Sequence, residues 1–244
     1  MKIFVCANNY TEKQHEETIK CVEVLRKLGH ECFSDKEDDC INKCDLIVSL
    51  GGDGALLNAA QYALKADKPL FGINSGRLGH LCVMTIEDIE EFDSIYTKCQ
   101  ISERSVLQTS FNNKEYLSVN DVIVSKSEFG QTADISSYVD GKLIQDIRGD
   151  GLIISSPTGS SAYNVSAGGP LIDCDARCFV LTPICQHGSG IYPYVVNDNK
   201  SITVKVDHEQ VRVYVDGRYI GENNEDIKIE KAGQMLKLYV NKTS

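Results

Sequence analysis

The spacing of apolar residues changes partway along the chain. Lys2–Cys6 predicts a first strand. Glu12–Leu28 predicts a helix, because Ile19, Val22, Leu25 and Leu28 share one face and Gly29 follows as a stop. His30–Phe33 predicts a second strand, residues 34–44 an acidic loop or short helix, Asp45–Leu50 a third strand and Pro69–Asn74 a fourth. Between the last two, Leu56, Leu57, Ala59, Ala60, Ala63 and Leu64 recur at helical spacing. Ile86–Lys98 predicts a further helix with Ile86, Ile89, Phe92, Ile95 and Tyr96 as its apolar stripe. Strands alternating with helices make a parallel, Rossmann-like sheet covered by helices.

Beyond that helix the period shortens to that of strands. Ser105–Phe111, Tyr116–Ser125, Ala133–Val139, Lys142–Ile147 and Leu152–Ser155 predict short strands, with turn signals at Asn112-Asn113 and Asp140-Gly141. Pro157–Gly169 is rich in Ser, Gly and Ala and is able to open a short helix. The strand pattern resumes at Phe179. It continues through the alternations Ile202/Val204/Val206, Val211/Val213/Val215, Ile227/Ile229 and Leu236/Leu238/Val240, with a hairpin signal at Asp216-Gly217. The expected organisation is an α/β domain over residues 1–100 and an all-β domain, a sandwich or stacked sheets, over residues 101–244.

Composition narrows the function. A chain of 244 residues with 42% hydrophobic and 25% charged residues is ordinary for a globular protein with a sizeable core. A formal net charge of −10 argues against general nucleic-acid binding, which uses a basic face. No apolar run approaches the roughly 20 residues that span a membrane, and MKIFVCANNY does not read as a secretory signal. The expected location is the cytoplasm. The ten cysteines, many inside apolar runs, are read as reduced, structural thiols, and no metal site is expected of them.

Four stretches carry candidate chemistry. In Leu50–Ala60, LGGDGALLNAA, Gly51, Gly52, Asp53 and Gly54 fall where a strand becomes a helix. Glycines allow close backbone approach, and a helix start presents unpaired N–H groups to phosphate. A carboxylate there holds a metal ion or takes a proton from a hydroxyl, both tasks of phosphoryl transfer. The same residues also make a good turn with Asp as a cap. Asn74–Leu81, NSGRLGHL, reads as a loop at a strand end in which Arg77 is available for phosphate charge, or as a plain turn. In Val119–Val124, VNDVIV, Asn120 and Asp121 form either a turn into a strand or a match for a ribose diol. Arg148–Gly169, RGDGLIISSPTGSSAYNVSAGG, supplies hydroxyls and helix-start N–H groups for a nucleotide, with Tyr163 able to stack on a base.

In this order and spacing, Gly51–Gly54, Asn74–Gly79, Asn120-Asp121, the long stretch 149–169 and Asp216-Gly217 resemble the NAD kinase (ATP-NAD kinase) family over nearly the whole chain. The first motif is shared with lipid kinases and phosphofructokinases; the segment GDGLIISSPTGSSAYNVSAGGP is far more specific. The resemblance implies transfer of the γ-phosphate of ATP, with Mg²⁺, to the 2′-hydroxyl of the adenosine ribose of NAD. It places Asp53 as the catalytic proton acceptor and Gly54 beside it in the NAD site. It also places Asn120, Asp121, Arg148, Asp150, Thr158, Ser161, Ala162, Tyr163 and Ser166 around NAD. It implies homodimers or homotetramers in which a neighbouring subunit completes some sites. Ala55, Asn58, His80 and Arg218 depart from the family's usual residues. There is no Gly-x-x-x-x-Gly-Lys-Ser/Thr loop and no Gly-x-Gly-x-x-Gly after the first strand, so neither a P-loop kinase nor hydride transfer is supported. Another kinase sharing the Gly-Gly-Asp-Gly turn, acting on a lipid or sugar, and a non-catalytic nucleotide sensor are the competing readings.

Overall fold

The computed structural model describes residues 1–7, 11–34, 38–76, 79–128, 130–188, 190–206, 210–223 and 225–242. The chain divides into two compact units, Met1–Glu103 with Leu236–Ser244, and Arg104–Met235.

The first unit is a seven-stranded sheet with helices. Its order is Glu31–Ser34, Lys2–Ala7, Leu46–Leu50, Leu70–Asn74, Leu236–Asn241, Cys99–Arg104, with the short strand Met84–Thr85 also beside Leu70–Asn74. Lys2–Ala7 runs parallel to both of its neighbours, and Leu46–Leu50 runs parallel to Leu70–Asn74. Leu46–Leu50 and Leu70–Asn74 are buried throughout, as strands covered on both faces must be. Helix Glu12–Lys27 starts on a capping box. Thr11 Oγ1 accepts from the Gln14 N–H, and Gln14 Oε1 accepts from the Thr11 N–H. The helix buries Cys21 and Leu25 against Ile3, Val5, Leu46 and Val48. Helix Asp53–Ala66 buries Leu56, Ala59, Ala60, Ala63 and Leu64 and ends at Asp67 in the left-handed region. The expected helix Ile86–Lys98 is two pieces, a 3₁₀ turn Ile86–Glu91 and a helix Phe92–Lys98.

Leu236–Asn241, expected in the β-rich half, belongs to this first sheet instead. Leu238 pairs in parallel with Leu70. Tyr239 joins Phe71 and Tyr96, with its hydroxyl 2.7 Å from that of Tyr96.

The second unit contains two six-stranded sheets. One is ordered Lys142–Gly149, Ala133–Val139, Ile202–Val206, Ile227–Lys231, Leu107–Phe111, Lys114–Ser118. The other is ordered Tyr194–Asn197, Cys178–Ile184, Gly151–Ser155, Asp121–Lys126, Val211–Val215, Arg218–Asn223. Every pairing described in both is antiparallel. Alternate residues of both, among them Val122, Val124, Leu152, Ile154, Val204, Val213 and Ile229, form one core, as in a sandwich. The expected single strand Tyr116–Ser125 is two strands in different sheets. The chain changes sheets at Val119-Asn120.

Candidate active site

Each unit carries one group of candidate residues. In the first, the strand Leu46–Leu50 ends at Gly51, whose φ is 141° and whose N–H donates to Ile73 O at 2.9 Å. A Cβ at Gly51 would lie 2.6 Å from Ala55 Cβ, so the turn is only as tight as glycine allows. Gly52 is the helix cap, and its carbonyl accepts from the N–H groups of Ala55 and Leu56. The N–H groups of Asp53 and Gly54 therefore have no acceptor within the helix, the condition that favours an anion.

Asp53, half-buried, does not cap the helix. Its carboxylate turns to the loop after Leu70–Asn74 and accepts from the N–H groups of His80 at 3.1 Å and Leu81 at 3.2 Å. Gly79 lies directly against it. A carboxylate has about four acceptor positions, so two remain for a hydroxyl or a cation. Beneath the turn, the buried Cys82 thiol donates to Gly51 O at 3.6 Å. Burial, then the Asp53 charge, push that thiol up to about 12, so it stays protonated and is no nucleophile. Arg77 lies outside the described residues.

In the second unit the break between Lys114–Ser118 and Asp121–Lys126 is organised by Asp216, which lies in the hairpin after Val211–Val215. The Asp216 carboxylate accepts from Ser118 Oγ at 2.7 Å and from the N–H groups of Val119, Asn120 and Asp121 at 3.0, 2.8 and 3.4 Å. Asp121 is 4% exposed. Burial, then the like charge of Asp216, push its carboxyl up to about 7.

Residues 157–169 pack on this sheet through small residues. Asn164 Oδ1 accepts from Thr182 Oγ1 at 2.6 Å, and its amide donates to Ser160 O and Pro170 O. A Cβ at Gly159 would lie 2.1 Å from Asn120 O. That closeness brings Thr158 beside the Asn120 turn. Asn120 Oδ1 and Thr158 Oγ1 are both buried and without a hydrogen-bond partner. Such orphaned atoms cost free energy unless a ligand or water completes them. Ser161, Tyr163 and Ser166 are exposed and Ala162 is half-buried.

A cavity of about 400 Å³ opens on the same sheet, lined by residues including Ile123, Lys126, Asp150, Tyr163, Ile184 and Tyr214. Lys126 Nζ lies 2.6 Å from Asp150 Oδ1. A Cβ at Gly151 would lie 2.4 Å from Val124 O, which accounts for the glycine after Asp150. Arg148 is not part of this group. It donates to Thr132 Oγ1 at 3.1 Å, lies 3.8 Å from Asp134, and lines another cavity with Tyr138 and Lys205. The sequence pairs Arg148 with Asp150, but Arg148 belongs to the strand Lys142–Gly149 of one sheet, and Asp150 is where the chain passes to Gly151–Ser155 of the other. Two residues were missed. Lys126 gave no signal. Asp216 reads as a turn former and as part of the family resemblance, with no site role, though a carboxylate where Asn would serve hinted at a second duty.

The chain also matches known proteins over both of its parts. Residues 2–100 match the family model for the ATP-NAD kinase N-terminal domain, and residues 119–239 match that for the ATP-NAD kinase C-terminal domain. The chain is thus built as a two-domain nucleotide kinase of the ATP-NAD type. It is 32% identical over 226 residues to an NAD kinase of Caldicellulosiruptor bescii, covering 91% of this chain and 86% of the relative. It is 34% identical over 225 residues to an NAD kinase of Caldicellulosiruptor saccharolyticus, covering 89% and 85%. The chain belongs to the NAD kinase family. Among solved structures, an NAD kinase from Archaeoglobus fulgidus in complex with ATP superposes with a TM-score of 0.81 at 28% identity, covering 99% of this chain and 93% of that one. Yeast NADH kinase complexed with NADH shares the fold, with a TM-score of 0.86 at 19% identity over 98% and 83%.

Proposed function

We propose that this chain transfers the γ-phosphoryl group of ATP to the 2′-hydroxyl of the adenosine ribose of NAD, making NADP. The observation that carries the reading is the Asp53 carboxylate, fixed by two N–H groups at a glycine-rich helix start. A ribose hydroxyl is a poor nucleophile at neutral pH, and a carboxylate within hydrogen-bond reach removes its proton as the P–O bond forms. Gly51, Gly52 and Gly54 let phosphate oxygens approach the backbone, and Arg77 adds positive charge. The unpartnered Asn120 Oδ1 and Thr158 Oγ1, with the Asp121 carboxyl, suit the hydroxyls and amino group of an adenosine. Tyr163 offers a stacking face, Asp150 a polar contact, and Ser161, Ala162 and Ser166 the wall of the NAD site.

Among the described residues no cluster of three or more His, Cys, Asp or Glu side chains forms a metal cage. That suits Mg²⁺, which is commonly bound through one or two carboxylates and the substrate's own phosphates. Asp53 is the residue that would hold it here, and the ion would neutralise the triphosphate charge. We further propose a cytoplasmic homodimer or homotetramer. The ten cysteines are free, as a reducing compartment keeps them. Tyr192, Tyr194 and Val195, beside or on an edge strand, are exposed apolar surface for a second copy. No described helix is long and apolar enough to cross a membrane.

The test is a coupled assay with purified protein, NAD, ATP and Mg²⁺, reading NADP through an NADP-specific dehydrogenase. Asp53→Asn, run in parallel, should lose about 10²–10⁴ in rate and retain NAD binding. Phosphorylation of diacylglycerol, sphingosine or fructose 6-phosphate without NAD phosphorylation would overturn the reading. NAD binding without turnover under any donor would leave a sensor.

A further inference from the structure

The hairpin turn at Asp216-Gly217 has φ of 48° and 73° at its two positions. A two-residue turn of this kind takes Asn-Gly at least as well as Asp-Gly, so the turn alone does not require a carboxylate. The donors converging on it do. Ser118 Oγ and the N–H groups of Asn120 and Asp121 meet Oδ1, while the Val119 N–H meets Oδ2. An asparagine would offer one acceptor oxygen and turn an amide donor on the Val119 N–H. The contact is reciprocal, because the Asp216 N–H donates to Asp121 O at 3.0 Å. The hairpin therefore closes on the segment where the chain changes sheets, and that segment carries the unpartnered Asn120 Oδ1.

We propose that Asp216 is the positioning residue for Asn120 and Asp121, fixing both for the ribose and base of the substrate without touching it. This rests on the reading of that pair as part of the NAD site. The same carboxylate has an electrostatic effect. The charged or titratable groups facing Asp121 are Asp216 on the hairpin and the Tyr163 phenol on the short helix Tyr163–Ser166, while Ser155 opposite it in the ladder is neutral. Asp216 thus sets where Asp121 is placed and the pH at which it becomes a full acceptor for ribose hydroxyls.

The experiment is calorimetric titration of the full chain with NAD from about pH 6 to 8.5, spanning the Asp121 transition. Wild type, Asp216→Asn and Ser118→Ala are compared, with thermal melts of each. Asp216→Asn suits the turn and should fold. Its NAD affinity should fall about tenfold at the alkaline end, the worth of a lost charge-assisted hydrogen bond. The midpoint of its pH dependence should move to lower pH, because the like charge is gone. Ser118→Ala, which keeps the charge, should weaken binding less and leave the midpoint in place. An unchanged affinity and midpoint in Asp216→Asn overturns the proposal. So does a loss uniform across pH that merely follows a lower melting temperature, which marks a fold residue. If Asp216→Asn does not fold, unchanged affinity in Ser118→Ala overturns it. Wild type that binds no NAD overturns the site reading itself, a result distinct from the others.

Discussion

Gly79 and Asp53 are in contact through the absence of a side chain: a Cβ on Gly79 would lie 2.3 Å from Asp53 Oδ1. The two N–H groups that hold the carboxylate follow at His80 and Leu81. Gly79→Ala must therefore push the carboxylate away or open the loop. Displacing a reacting group by about 1 Å costs on the order of a hundredfold in rate. The expected result is a kcat lowered by about that factor, with NAD affinity kept. Equal loss of affinity and rate would mean that the loop has collapsed.

Thr158 predicts effects of opposite sign. Its hydroxyl is buried without a partner. Thr158→Val should raise the stability of the free protein by about 1 kcal/mol, because an unsatisfied polar group is removed. It should weaken NAD binding at the same time. A melt and a titration on one preparation check both, and a variant that binds NAD normally would take Thr158 out of the site.

Asp121 should make stability fall as pH rises. Its folded carboxyl is pushed up to about 7 from 3.8, so the folded state binds the proton more tightly than the unfolded chain. Below about pH 4 the group is neutral in both states and costs nothing. Between the two values the cost grows, and above about pH 7 it is full, of order 4 kcal/mol at about 1.4 kcal/mol per unit. Asp121→Asn should therefore melt higher than wild type at about pH 8, with the gain vanishing toward pH 4. Denaturant curves at both pH values read the difference.

Tyr163 is 44% exposed on the cavity wall. Removing a stacking ring costs about 1–3 kcal/mol of binding. Tyr163→Ala should raise the Kd for NAD by roughly tenfold or more and leave kcat at saturation close to wild type. A loss confined to kcat would contradict stacking.

Much of this architecture was legible because it rests on local periodicity. The helix Glu12–Lys27 and the buried strands Leu46–Leu50 and Leu70–Asn74 follow from apolar spacing, and the Gly-rich turn follows from its place between strand and helix. What was not legible depends on partners distant in sequence. Tyr116–Ser125 is β-rich on both sides of the polar pair Asn120-Asp121, which reads as a turn or a ligand site, and the strand breaks there because the N–H groups of Val119 and Asn120 are taken by Asp216. Leu236, Leu238 and Val240 alternate as any half-buried strand does, and alternation does not name the sheet a strand will join. At the site, the residue types of Asp53, Asn120 and Thr158 were readable. The N–H groups that hold Asp53 come from backbone and leave no trace in side-chain identity.

The place of Leu236–Asn241 also orders events in time. This strand lies between Leu70–Asn74 and Cys99–Arg104, and without it Leu70 loses its partner Leu238, while the short strand Met84–Thr85 still covers Ile73 and Asn74. On a ribosome, chain grows from the amino end, and the whole of Arg104–Met235 is made before the missing strand. The β unit can thus assemble while the unit bearing Asp53 is still open. A truncation before Leu236 should strand nascent chains with an exposed edge at the Leu70 end of Leu70–Asn74, the kind of edge that recruits neighbouring chains.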